Sequence, residues 1–180
     1  MTEPKPFDIL ADAAERYGRA SLDNYAQVRN VAENVQAGFC RYLSGGSKVC
    51  VYLVPPEGAW SPQAYQSGAF SVSGTGFLPL DPISFGLAVR VSRTGDWLRL
   101  VLSCAKMGPE MEITIQNGGQ FALALPASPE QLEQLFDLLY GHLTAWFVQQ
   151  ADLYENGEYG GRSIGFDFLH SPNGDAIPAV

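Results

Sequence analysis

The chain has 180 residues, a formal net charge of −8, 46% hydrophobic and 12% aromatic residues, and only 17% charged ones. This length suits one domain with a sizeable core, and the composition excludes a disordered or coiled-coil chain. The charge sits at one end: residues 1–45 carry six acids and five bases, 46–127 carry five of each, and 128–180 carry eight acids and one base.

That balance argues against nucleic acid and anionic membrane as partners, since both recruit clusters of Lys and Arg. No apolar run approaches the eighteen or so residues of a membrane span, and the first residues lack the pattern of a signal peptide. A cytoplasmic protein is expected, with residues 1–180 as a single domain and 155–180 as an aromatic, acidic tail. Cys40, Cys50 and Cys104 are odd in number and form no C-x-x-C, so they read as buried thiols rather than disulfides or zinc ligands. No metal or other cofactor is expected.

Pro6 to about Leu43 reads as helix. Leu10, Ala14, Tyr17, Ser21, Tyr25, Val28, Ala32, Val35, Phe39 and Tyr42 recur at spacings of three and four, which keeps one stripe toward a core. Asp12/Arg16 and Glu15/Arg19 are acid-before-base pairs four apart, and Gly45-Gly46 supply a stop. Such a helix would be ~57 Å long at 1.5 Å per residue, against a diameter of roughly 40 Å for a compact chain of this size. Either it breaks near Gly18, with Ser21 capping a second segment, or one end projects and needs a partner.

Lys48–Val54 is apolar on both faces and reads as a central strand. A loop rich in Pro and Gly follows, carrying Trp60 and Tyr65, with a short strand at Ala69–Ser73 and more loop through Pro82. A two-residue turn at Thr94-Gly95 places Val91 opposite Leu98 and Leu87 opposite Leu102. A three-residue loop, Asn117 to Gly119, with a left-handed Gly, pairs Ile115 with Phe121 and Met111 with Leu125. Joining the two hairpins with Leu100 beside Ile113 gives an antiparallel meander with one apolar face.

Ser128-Pro129-Glu130-Gln131 is a helix start with a cap, Pro at the first position and a capping box. Leu132, Leu135, Phe136, Leu139, Leu143, Trp146, Phe147 and Leu153 form a stripe that would cover the meander. Ser163–Leu169 alternates as a last strand, and strand addition to a sheet edge would hide its aromatics. The expected fold is a two-layer α+β domain: an antiparallel sheet of five or six strands, with long N- and C-terminal helices packed on one face.

In these registers Arg90 falls opposite Arg99, with Thr114 beside Arg99 and Glu112 diagonal to it. Two opposed guanidiniums repel unless something negative is shared between them. Arg90, Arg99, Glu112 and Thr114 are therefore the candidate anion or partner site, on a face otherwise made of small residues such as Ala88, Ser103 and Ala122. Glu130, Glu133 and Asp137 form a second candidate, an acidic docking surface for a basic protein.

No catalytic residue is assigned. Nothing in the spacing of Cys104 and His142 requires a dyad, and Gly74-Thr75-Gly76 lacks the Lys and the following helix of a phosphate loop. The functional expectation is a non-catalytic interaction module, adaptor or chaperone-like, that self-associates as a homodimer. The alternative is a small-anion binder or enzyme with its pocket near Arg90 and Arg99.

Overall fold

The computed structural model of the protein describes residues 3–45, 50–72, 77–158 and 165–172. Within them lie two long helices and an open antiparallel sheet, the expected α+β layering. Helix α1 runs unbroken over Pro6–Ser44, beginning with Pro6 in its first turn and ending at Gly45, which is left-handed at φ +66° and returns its N–H to Arg41 O. Gly18 does not break it. Ser21 bonds back to the carbonyl of Gly18 inside the helix instead of capping a new one, and one Gly costs only ~1 kcal/mol of helix propensity.

The helix therefore projects. Its first buried residue is Ser21, and Phe7, Ile9 and Leu10 upstream are 74, 58 and 66% exposed.

Strand β1 (Val51–Val54) is apolar on both faces but forms the sheet edge, which corrects its expected central place. Its core face packs under α1 and its other face joins Ala88, Trp97, Trp60 and Tyr65 in a small second core. The outward carbonyl of Val51 accepts from the side chain of Gln36, so the edge is covered at that point. After a short 3-10 turn at Gln66–Ala69, the described part of the strand expected at Ala69–Ser73, residues 69–72, forms a single bridge from Phe70 to Phe85, and Ser73 lies outside the described residues.

The meander follows as β2 (Ile83–Arg90), β3 (Asp96–Met107), β4 (Glu110–Ile115) and β5 (Gln120–Ala124), in the spatial order β1-β2-β3-β4-β5. Its faces are as expected but its registers are displaced. Val89 pairs with Leu98 and Leu87 with Leu100, because the first turn spans four residues, Ser92 to Gly95. Ser92 and Asp96 close that turn side chain to backbone and side chain to side chain, at 2.8 and 2.6 Å. In the second hairpin Ile113 pairs with Phe121, since the loop begins one residue early and Asn117, not a Gly, takes the left-handed conformation at φ +59°.

Between the hairpins Cys104, not Leu100, faces Ile113, across a tight turn with Gly108 at φ +62°. Each displacement is an even number of residues. The side-chain period in a strand is two, so the apolar face survived every slip.

Helix α2 (Pro129–Glu155) starts as expected, with the Ser128 hydroxyl accepting the N–H of Gln131 at 3.2 Å. Leu135, Phe136, Leu139 and Leu143 are its buried stripe, while Phe147 remains 38% exposed. The helices meet where Gly38 of α1 faces Phe136, whose ring also packs against Phe39 and Tyr42. Finally β6 (Asp167–His170) pairs with the first four residues of β3, along the same edge that β4 occupies further on. The expected strand start at Ser163 and Ile164 lies outside the described residues.

Candidate functional site

Because β4 and β6 share one edge of β3 end to end, a notch opens between them. Ile115 of β4 pairs with Leu102 and Asp167 of β6 pairs with Arg99, so between the two strands Val101 accepts only the N–H of Gln116, at 3.0 Å, and Leu100 lies opposite the gap. The notch is a cleft of about 810 Å³. Gln116 and Asn117 form one bank, Gly165 to Asp167 the other, and His142, Trp146 and Gln149 of α2 close one side. Pro56 to Gly58 and Arg99 close the opposite side.

Arg99 is the charged centre of this region and is only 8% exposed. One guanidinium nitrogen donates to the carbonyls of Pro55 and Gly58, at 3.1 and 2.9 Å, and another pairs with Asp167. The ring of Trp60 lies 5.8 Å from the guanidinium carbon. Charge-assisted bonds of this kind contribute roughly 1.5–3 kcal/mol each, so Arg99 ties the Pro55–Gly58 loop and the C-terminal strand onto the sheet.

The constellation expected around it does not form. Arg99 faces Ala88, and Arg90 faces Trp97. Arg90 donates to the carbonyls of Ser92 and Arg93 and thereby braces the neighbouring turn. Glu112 faces Ala105 and Ala122, while Thr114 faces Ser103. Those two pairings lie further along β3 than Arg99 by six and four positions, a consequence of the displaced β3–β4 register.

Part of the small-residue face is covered by the chain itself. Ala88 and Trp97 are fully buried there, and Trp97 donates its indole N–H to Ser171 O.

A second cluster went unseen in the sequence. Asp96 accepts from Ser92 and Thr94 at 2.6 and 3.1 Å and lies 2.7 Å from His170 Nδ1. The Ser92 hydrogen bond, followed by that of His170, holds the Asp96 carboxyl below its usual range. Aspartate lies between Ser and His here, the wrong order for activating a hydroxyl, which needs the imidazole next to the nucleophile. The cluster is a clasp: Ser171 N–H bonds to Gly95 O, and Pro172 lies so close to Gly95 that a Cβ there would come within 2.4 Å.

Cys104 is buried, and desolvation pushes its thiol up to about 12. His142 contacts Phe166 edge-on at 5.7 Å, and burial lowers its pKa. Both are therefore neutral at pH 7, and nothing among the described residues orients them as a nucleophile and base. Nor do the described residues contain a cluster of three or more metal-ligating side chains, or a helix long and apolar enough to cross a membrane.

Glu130, Glu133 and Asp137 all lie exposed on α2. Asp137 is also structural, since Tyr42 of α1 donates to it at 2.5 Å, which pushes the Tyr42 phenol up to about 12.

No protein-family model matches the chain, and no curated protein and no solved structure is significantly similar to it.

Proposed function

We propose that the protein is a non-catalytic interaction module that self-associates through the projecting half of α1. The observation that carries this reading is an apolar stripe that continues past the end of its own core. Phe7, Ala14, Ser21, Val28, Val35 and Tyr42 recur at intervals of seven, and the stripe is buried from Ser21 to Val35 and half-buried at Tyr42 but open upstream. Phe7, Leu10 and Tyr17 are 74, 66 and 40% exposed there, and Phe77 beside Tyr17 and Leu80 three residues further on are 71 and 51% exposed.

The occupant that fits is a second copy of the same helix. A seven-residue repeat is the spacing at which helices pack along each other. Ala11 and Ala14 on or beside the stripe let two backbones approach closely. Like surfaces pair about a two-fold axis. Five such side chains on each protomer bury on the order of 1,000 Å² in total, about the least that a specific interface requires. Glu130 and Glu133 then remain as an exposed acidic surface suited to a basic partner protein, whose binding would weaken with salt.

The competing reading, a small-anion site, draws less support from the geometry. Arg99 is engaged by two carbonyls and Asp167, and the notch around it also holds Glu57, so among the described residues one cation faces two acids. An entering anion would meet that excess of negative charge.

The test is the mass in solution of the full chain and of a Phe7→Asp/Leu10→Asp variant. A dimer that becomes monomeric in the variant, with the far-ultraviolet spectrum unchanged, supports the proposal. A monomeric wild-type chain, or a dimer indifferent to both substitutions, would overturn it.

A further inference from the structure

The last turns of α1 and the entry to β1 bring two cysteines together. Cys40 lies one turn before the end of the helix and Cys50 immediately precedes the strand, ten residues later in sequence. The backbone N–H of Cys50 donates to Cys40 Sγ at 2.9 Å, and the thiol of Cys50 donates to the carbonyl of Cys40 at 3.4 Å. Burial, and then the neighbouring Cys40 side chain, push the Cys50 thiol up to about 12, so its deprotonation is the slow part of any exchange, and the Ser44 hydroxyl, which donates to the Cys40 carbonyl at 2.8 Å, lies 4.0 Å from Cys40 Sγ.

An N–H pointed at a sulfur within 3 Å requires the two Cα atoms to be close, inside the range that a disulfide spans. Each residue is 8% exposed, shielded but not sealed, whereas Cys104 is fully buried in the core. Composition alone pointed to inert thiols; the fold makes two of the three a pair.

We propose that Cys40 and Cys50 are a reversible dithiol–disulfide site, oxidised by a small disulfide such as oxidised glutathione. Cys40 is the attacking sulfur. It receives the amide N–H of Cys50, the kind of donor that a thiolate sulfur needs. Its thiolate attacks one sulfur of the oxidant, forming a mixed disulfide and expelling one thiolate of the reagent. That thiolate takes the proton from Cys50. Cys50 sulfur then attacks Cys40 Sγ and expels the second thiolate.

In sum the two cysteines lose two protons and two electrons, and the oxidant is reduced to two thiols. The bond fastens the C-terminal end of α1 to the sheet edge, at the opposite end of the helix from the proposed association surface. It therefore does not depend on that surface.

The experiment treats the folded full-length protein with oxidised glutathione, quenches it with acid, and alkylates all remaining thiols under denaturing conditions. The expected product has lost two hydrogens, carries a single alkyl group, on Cys104, and yields a Cys40–Cys50 cross-linked peptide that a reductant reverses. In a Cys50→Ser variant, checked for fold by circular dichroism, the reaction stops at a stable glutathione adduct on Cys40. Three alkylated thiols after prolonged oxidation would overturn the proposal. So would a persistent glutathione adduct in the wild-type protein, or a cross-link that includes Cys104.

Discussion

Glycines at two helix positions show how far a residue's effect depends on what faces it. A Cβ on Gly38 would come within 2.4 Å of the Phe136 ring, and that ring is held between Phe39 and Tyr42. Replacing Gly by Ala in a helix ordinarily stabilises by ~1 kcal/mol, but forcing an extra carbon into a packed contact costs about 1–3 kcal/mol. Gly38→Ala is therefore expected to destabilise by up to about 2 kcal/mol, the difference between those two effects. Gly141 of α2 has open space where its Cβ would go, so Gly141→Ala should stabilise by ~0.5–1 kcal/mol. Chemical denaturation of the two variants checks both signs; a stabilised Gly38→Ala protein would mean that the helices separate without penalty. Neither sign is legible in the sequence, where both residues are simply glycines inside helical patterns.

At the scale of elements, periodicity revealed which face of each strand is apolar but not which residues meet. A two-residue turn at Thr94-Gly95 would leave unused the bonding capacity of Ser92 and Asp96, which close a longer turn between them. That slip separated Arg90 from direct opposition to Arg99, and the displaced β3–β4 pairing removed Glu112 and Thr114 from its side. The capping signal at Ser128 fared better because it is local: donor and acceptor are three residues apart. Long-range partners such as Asp167 for Arg99, or Cys50 for Cys40, follow from topology and leave no mark in spacing.

The turn itself carries a pH prediction. Folding lowers the pKa of Asp96, chiefly through the Ser92 hydroxyl and then His170. A carboxyl with a depressed pKa stabilises the folded state above its unfolded pKa, about 3.9, and loses that contribution as pH falls through its folded value. The clasp between β6 and the turn should thus loosen below about pH 4, earlier than the core. Hydrogen exchange of the β6 amides, followed against pH in the wild type and in Asp96→Asn, is the measurement. The variant should show at neutral pH the low protection factors that the wild type reaches only in acid, and identical protection in both proteins would refute the clasp.

Over the whole molecule the two chain ends play opposite parts. The N-terminal end extends an apolar stripe beyond the core, whereas the C-terminal segment returns to close the sheet, and with it part of the −7 carried by residues 128–180 comes to lie against Arg99. The low charged fraction accordingly has a structural counterpart: Arg99 is buried among carbonyls, and the part of the second face around Ala88 and Trp97 is covered by Trp60 and Tyr65.

Truncation before Gly165 tests how much of the fold depends on that return. It removes four strand pairings, the Asp167 partner of Arg99, the acceptor of the Trp97 indole, and the rings that pack on Trp146. Exposing one large aromatic side chain costs about 1.5–3 kcal/mol, and losing a charge-assisted bond at a buried group about 1.5–3 kcal/mol more. With each kcal/mol shifting the midpoint of a chain this size by about 2–4 °C, the truncated protein should melt at least about 6 °C lower. Calorimetry of the two chains decides the matter. A midpoint within about 2 °C of the full-length value would mean that the sheet closes without its last strand, and that Arg99 holds the Pro55–Gly58 loop by its carbonyl bonds alone.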